Sequence, residues 1–259
     1  MTSNVQSPRS PRWVQVALHI WRDFLQEMAG EARNAFAGWV WHIVLPLAPL
    51  GVYLALATFR VITPPDGISA APYMTIGATL WMFFSSLVTA PLAAFRAKGQ
   101  LAAQTGYPLL ALAITKVLHV LFDTIVRAAL CAAVLAWFQP PREIGLALLA
   151  GLGAAPLFLG AGFILAVFAT AIRDLERVVP LVLQYGFFLS FAIFPLPLPA
   201  GWIAANPFAV FIDNVRHLMM FGVLSAPIAY AIWCAAGVLV FVKSLRFLAR
   251  AERVIVGHL

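Results

Sequence analysis

Charge is scarce in this chain. Of its 259 residues only 10% are Asp, Glu, Lys or Arg and 63% are hydrophobic, whereas a soluble domain carries about 25% charged residues. That imbalance excludes an ordinary water-soluble fold and predicts a protein that crosses a membrane several times. Cysteine is scarcer still: Cys131 and Cys234 lie far apart, each inside an apolar run, which excludes a disulfide framework and a cysteine-based metal centre. No glycine-rich phosphate loop occurs, and Lys243-Ser244 lacks the glycines that would have to precede it. The chain therefore has no means of hydrolysing ATP by that route. Paired His or Cys ligands, a Gly-x-Ser-x-Gly elbow and a dinucleotide fingerprint are missing too, so no catalytic residue, metal ligand or cofactor is expected in it. His119 and Asp123 make two donors without a third. The first 37 residues contain no short apolar core with a small-residue cleavage site, so no removable signal peptide is expected.

What is present is a succession of apolar runs. Six are long enough to be candidate spans, at about 38–59, 72–95, 108–137, 144–172, 178–195 and 223–242. The expected fold is an all-α membrane protein in two parts: a tail with an amphipathic interface helix over 1–37, and a six-span domain over 38–259. The net charge of +7 is a topology signal rather than a nucleic-acid footprint. Arg9, Arg12, Arg22, Arg33, Arg96, Lys98, Arg173, Arg177, Lys243, Arg246, Arg250 and Arg253 fall on one side of a six-span chain, and Arg60, Arg142 and Arg216 on the other. The positive-inside rule then places both termini in the cytoplasm of a cell with this protein in its inner membrane, and argues against a nucleic-acid partner.

Between Arg12 and Met28 the residues Trp13, Val16, Ala17, Ile20, Phe24 and Met28 recur at helical spacing against Gln15, His19, Arg22, Asp23 and Glu27. This predicts a helix lying flat on the cytoplasmic face or packed on a partner protein. Gly38-Trp39-Val40-Trp41 opens the first span, which holds His42 as a packing residue or, in the minority reading, a proton relay. The third run places Lys116, His119, Asp123 and Arg127 on one helical face. A charge at the depth of Arg127 costs about 3 kcal/mol unless paired. Asp123, one turn earlier, either neutralises it or forms with it the polar wall of a substrate path.

The stretch from Arg173 to Gly222 is the most structured in its signals. A charged knot, Arg173, Asp174, Leu175, Glu176 and Arg177, precedes an uncharged run that is expected to form a spanning helix ending at Pro195, Pro197 and Pro199. Asn206 and Pro207 suit the N-cap and first turn of a second, amphipathic helix that Gly222 closes. Phe208, Phe211, Ile212, Val215, Leu218 and Met219 form its apolar face, and Asp213, Asn214 and His217 are expected to turn away. It should lie at, or dip into, the membrane surface between the last two spans.

These features together resemble the membrane subunits of type 2 ABC exporters, in particular the branch that exports O-antigen, capsule or teichoic-acid chains. The resemblance rests on the amphipathic N-terminal helix, Gly38-Val40-Trp41 to Pro46, the region from Arg96 to Pro108, and a C-terminal block. That block comprises Arg173-Asp174, Pro180, Gln184, Ser190, Ile193-Phe194-Pro195, Asn206-Pro207 and Arg216. Phe191 departs from the pattern where proline is frequent, and Phe194 where tyrosine is common. The resemblance implies a homodimer working with a separate ABC ATPase dimer that binds the ATP and Mg, with a periplasmic adaptor as a further implied partner. It implies ATPase docking by Arg96, Lys98, Gln100 and Gln104, with Arg173, Asp174, Glu176 and Arg177 nearby. It also implies a re-entrant periplasmic gate between Pro195 and Gly222 that includes Asn206, Pro207, Asp213 and Arg216.

A polysaccharide or glycolipid cargo needs flat surfaces that slide past sugar faces, and aromatic rings offer them. Trp81, Phe83, Phe84, Tyr185, Phe188 and Phe191 are the expected path residues, beside Asp123 and Arg127. Two alternatives stay open: an exporter of drugs or lipids with the same fold, and an ion-gradient transporter that needs no ATPase.

Overall fold

A computed structural model describes residues 12–34, 40–59, 64, 67–105, 107–195 and 200–257. The N-terminal tail, Gly38, Trp39, Arg60, Pro197 and Pro199 fall outside the described residues, as do the side chains of Arg12, Trp13, Arg33, His42, Gln100 and Arg253. Among the described residues every regular element is helical. They are α1 (Arg12–Asn34), α2 (Val40–Thr58), α3 (Ala70–Thr105), α4 (Leu109–Phe138), α5 (Ile144–Ala171), α6 (Leu175–Gly186), α7 (Ala200–Ala205), α8 (Pro207–Phe221) and α9 (Pro227–Gly257), with a 3₁₀ turn at Phe187–Leu189 between α6 and α7.

Four helices are long and apolar enough to cross a membrane, over Ala70–Gly99, Leu109–Phe138, Ile144–Ala171 and Pro227–Glu252, and a shorter apolar helix runs over Ile43–Thr58. The chain is a multi-pass membrane protein. The predicted spans at 108–137 and 144–172 agree with α4 and α5 within a residue. Two expectations are corrected. The region after the second span, expected as a loop around Arg96 to Pro108, continues α3 to Thr105, because the run Gln100 to Gln104 is made of good helix formers and the lone Gly99 costs only about 1 kcal/mol. The predicted fifth span does not run to Pro195: its helix ends at Gly186 after 12 residues, about 18 Å at 1.5 Å per residue. Ser190 takes the Phe187 carbonyl with its hydroxyl at 2.8 Å and offers its oxygen to the Ala192 N–H at 3.3 Å. This local bonding competes with the helical ladder and turns the backbone.

The long α3 is the central element, packed on α2, α4, α5 and α8, while α5 packs on α9 and α8. Close approach is achieved through small residues: a Cβ on Gly160 would meet the Phe241 backbone at 2.9 Å, and one on Gly162 the Val88 carbonyl oxygen at 2.7 Å. Rings then fill the centre. Phe84 stacks on Phe158 at 4.6 Å, Phe158 meets Phe208 at 4.4 Å, and Phe211 meets Tyr230 edge-on at 5.5 Å, joining α3, α5, α8 and α9.

The alternation of α3, α4 and α5 defines two ends of the bundle. At one, named the gate end after the expected gate residues of α8 that it carries, Gln139 donates to the Gly67 carbonyl at 2.8 Å and accepts from the Ser69 N–H at 3.0 Å, and the Arg142 N–H reaches the Met219 carbonyl at 2.9 Å. At the other, the basic end, Glu252 of α9 accepts from the first N–H of α4, that of Leu109, at 2.8 Å.

Candidate functional site

The gate end is organised by α8, which sequence periodicity expected at, or dipping into, the membrane surface between the last two spans. Its caps are as predicted: the Asn206 side chain accepts from the Phe208 and Ala209 N–H groups, Pro207 follows, and Gly222 closes the helix at φ 76°. The depth of its burial is not: no residue of the helix is exposed, and Asn214, expected to turn away with Asp213 and His217, is 0% exposed, as is Arg216. Asn214 donates to the Val210 carbonyl at 2.7 Å and accepts from the Ala226 N–H at 2.9 Å, tying α8 to the start of α9.

Arg216 faces the broken end of the α6 segment. Its Nη2 donates to the Phe191 and Ala192 carbonyls at 3.1 and 2.9 Å, and its guanidinium lies 3.7 Å from the centre of the Tyr73 ring. Phe191 holds φ 60°, a left-handed conformation unusual for a bulky residue, which turns its carbonyl to the arginine. Non-helical backbone at membrane depth needs hydrogen-bond partners from the surrounding protein, and Arg216 supplies them. Gly77 of α3 leaves the space: a Cβ there would collide with the Ala192 carbonyl oxygen and Arg216 Nη2. Gly77→Ala is therefore expected to lower thermal stability by about 1–3 kcal/mol through overpacking. A melting midpoint equal to that of the unaltered protein would contradict this close approach.

On a different face of α3 lies a cleft of about 340 Å³ between α2, α3 and α6, lined by Tyr53, Trp81, Ser85, Thr89, Gln184 and Phe187 among others. Trp81 is the expected path residue that lines it. Tyr185 and Phe188 are 63% and 50% exposed on α6 and the 3₁₀ turn. Phe84 and Phe191 instead sit in the core, and Phe83 faces the opposite side of α3. Sequence reasoning did not assign Tyr53, Thr89 or Phe187 to a path, because only the packing of α2 and α6 on α3 brings them to one wall.

Asp123 and Arg127 lie in the seam between α4 and α2. Their side chains stand 3.9 Å apart and Arg127 Nε donates to the Pro46 carbonyl at 3.3 Å. Neither residue lines the cleft.

The basic end carries a second polar cluster. Glu27 of α1 binds Lys98 at 2.5 Å and Lys116 at 2.7 Å, with His119 Nε2 at 3.7 Å. Asp23, one turn earlier, accepts from the Tyr107 hydroxyl at 2.8 Å. Burial and then the neighbouring Asp23 push the Tyr107 pKa up to about 12. Burial alone would raise the Glu27 pKa, but the two lysines outweigh it and hold the carboxyl below its ordinary value. Ile20, Phe24 and Met28 are buried on the same side of α1, while Leu18, Trp21 and Leu25 form an exposed apolar stripe. Of the expected docking residues, Arg96, Gln104, Arg173, Asp174 and Arg177 are exposed, Glu176 is half-buried, and the Lys98 ammonium is engaged by Glu27.

The family pattern of the ABC-2 type transporter matches residues 14–220. The chain belongs to the ABC-2 type transporter family. None of the curated proteins matches it. Family membership makes the transporter a membrane subunit of the permease type, typically non-catalytic, and implies an ABC ATPase partner. The match takes in nearly all of α1 and of α8, so the two polar clusters described above both lie inside the family's domain. Among the described residues no group of three or more His, Cys, Asp or Glu is placed to hold a metal ion.

Proposed function

We propose that this transporter is the membrane half of an ATP-driven polysaccharide exporter, moving a capsule- or O-antigen-type chain with or without a lipid anchor. In this reading two copies form the conduit at their interface, and ATP with Mg is bound and hydrolysed by a separate ABC ATPase dimer. The basic end lies in the cytoplasm, with both termini, in keeping with the positive-inside rule. Six passes result when α2 and the α6 segment with its 3₁₀ turn are counted beside the four long helices. The stretch 195–222 closes the outer side, where an adaptor would sit. The exposed Arg96, Gln104, Arg173, Asp174 and Arg177 form the ATPase-docking surface.

The observation that carries the cargo assignment is the mixed chemistry of the cleft. Trp81, Tyr53 and Phe187 offer rings, while Ser85, Thr89 and Gln184 offer polar atoms. Ser85 and Thr89 give their protons to helix carbonyls at 3.3 and 3.2 Å, so their oxygens keep lone pairs for sugar hydroxyls. A path for drugs or lipids would not call for such a wall. The test is ATP-driven uptake of polysaccharide into inverted vesicles holding the transporter and its co-purified ATPase. The double variant S85V/Q184L is expected to slow uptake about tenfold while ATPase binding is unchanged. Equal uptake would remove the cleft from the path, and uptake by the chain alone without nucleotide would assign an ion-gradient mechanism instead.

A further inference from the structure

The face of α3 turned away from the cleft borders a second cavity, of about 380 Å³, with quite different chemistry. Helices α4 and α5 are joined by only five residues, yet they make almost no contact with each other. The gap between them is floored by Ile76, Thr79 and Phe83 of α3 and closed at one end by Val215 and Met219 of α8. Along α3, residues 76, 79, 80 and 83 point roughly opposite to 81, 82, 85 and 89, which line the cleft. The two spaces are thus separated by the helix itself.

The rim of the gap is formed by Ile125 of α4 and by Leu148 and Leu152 of α5, all exposed on helices that cross the membrane. An apolar gap that opens on the flank of two spans faces hydrocarbon, not water, and its volume falls within the ~300–1,000 Å³ of small-molecule sites. One polar atom interrupts the apolar floor, the buried Thr79 hydroxyl, which has no hydrogen-bond partner. A further observation points to where the polar end of an occupant would sit. Arg142, exposed in the α4–α5 connection, is fixed beside the gate-end mouth by the bond of its N–H to the carbonyl of Met219, a residue of the gap.

We propose that this gap is a binding groove for one acyl chain of a membrane phospholipid, whose anionic headgroup is met by Arg142 at the gate end. The lipid is a resident of the protomer rather than cargo, since α3 stands between it and the cleft. It fills space that α4 and α5 leave unfilled and supports α8 through Val215 and Met219, so it bears on the gate whatever the exported molecule is.

Floor and rim give the test its discrimination. Lipids in the surrounding bilayer reach Ile125, Leu148 and Leu152, whereas Thr79, Phe83 and Val215 are buried and reachable only by a chain inside the groove. The full-length transporter is placed in nanodiscs of phosphatidylglycerol carrying a diazirine on the acyl chain, irradiated, and mapped by peptide mass spectrometry. Insertion at Thr79, Phe83 or Val215 is expected in the unaltered protein, at a level comparable to that on the rim. Ala132→Phe, which narrows the mouth from an exposed position, should reduce floor labelling at least fivefold and leave rim labelling unchanged. Arg142→Gln should reduce it several-fold in the same way. Labels confined to the rim in the unaltered protein would overturn the proposal without any variant having to fold. Loss of the dimer in A132F with floor labelling unchanged would also overturn it, by making the gap an interface between copies of the chain.

Discussion

Arg216→Ala is expected to be the most damaging single substitution in this transporter, cutting the yield of folded protein at least tenfold. The reason is that its two acceptors are backbone carbonyls and stay behind. The Ala192 oxygen would stay buried without a donor, at about 1–3 kcal/mol, while the Phe191 oxygen would keep only the long bond from the Tyr73 hydroxyl at 3.4 Å. Loss of the contact with the Tyr73 ring adds about 0.5–2 kcal/mol, and the emptied volume adds a cavity term. Against this stands the cost of burying a cation whose Nε and Nη1 have no partner. Arg216→Met separates the two effects, because it removes the charge but nearly preserves the volume. It should fall between Ala and the unaltered protein. Thermal melting by fluorescence-detected size-exclusion reads all three forms, and a Met variant as stable as the arginine form would show that the carbonyls find other donors.

Glu27→Gln is expected to release α1 from the bundle by about 2 kcal/mol, roughly thirtyfold in the docked-to-undocked ratio. The amide keeps at most part of the hydrogen bonding and none of the charge, and leaves Lys116, 28% exposed, beside Lys98 without a counterion from α1. The outward half of Lys98 is screened by solvent, so most of the effect runs through Lys116. Removing that cation as well, in E27Q/K116M, should recover part of the loss. Hydrogen exchange over residues 16–30 reports the release, and unchanged protection in E27Q would remove Glu27 as the tether. The pH dependence has a definite sign. A carboxyl more acidic in the folded protein than in the unfolded chain adds stability above its unfolded pKa, near 4.3, and that stability is lost as pH falls through the lower folded value. Docking of α1 through Glu27 therefore holds at neutral pH and weakens as pH falls through the ordinary carboxylate range towards the lower folded value.

How the two clusters escape a reading of the chain can be seen from their members. Arg216 sits among Asp213, Asn214 and His217, the three that helical spacing turns away from the apolar face, and no local pattern marks it for the interior. Its partners, Tyr73, Phe191 and Ala192, come from segments 24 to 143 positions away, and nothing near residue 216 names them. Glu27 looks like one more charge on the wet side of an amphipathic helix until α3 and α4 bring Lys98 and Lys116 to it. The aromatic path fared similarly. Six rings were equivalent on composition, and packing divided them among the cleft, the exposed side of α6 and the core.

By itself the amino-acid sequence determined that this is a helical membrane protein, where α4 and α5 run, that an amphipathic helix precedes the first span, and how α8 is capped. Those features depend on apolar length, on helical period and on the backbone chemistry of Asn, Pro and Gly, which act over a few neighbouring residues. Only the tertiary structure decided that α8 is buried, that the α6 helix breaks at Gly186, and that α4 and α5 part to leave a groove. Each of these depends on which distant backbone groups and side chains must share a desolvated interior, and that is settled when the helices pack.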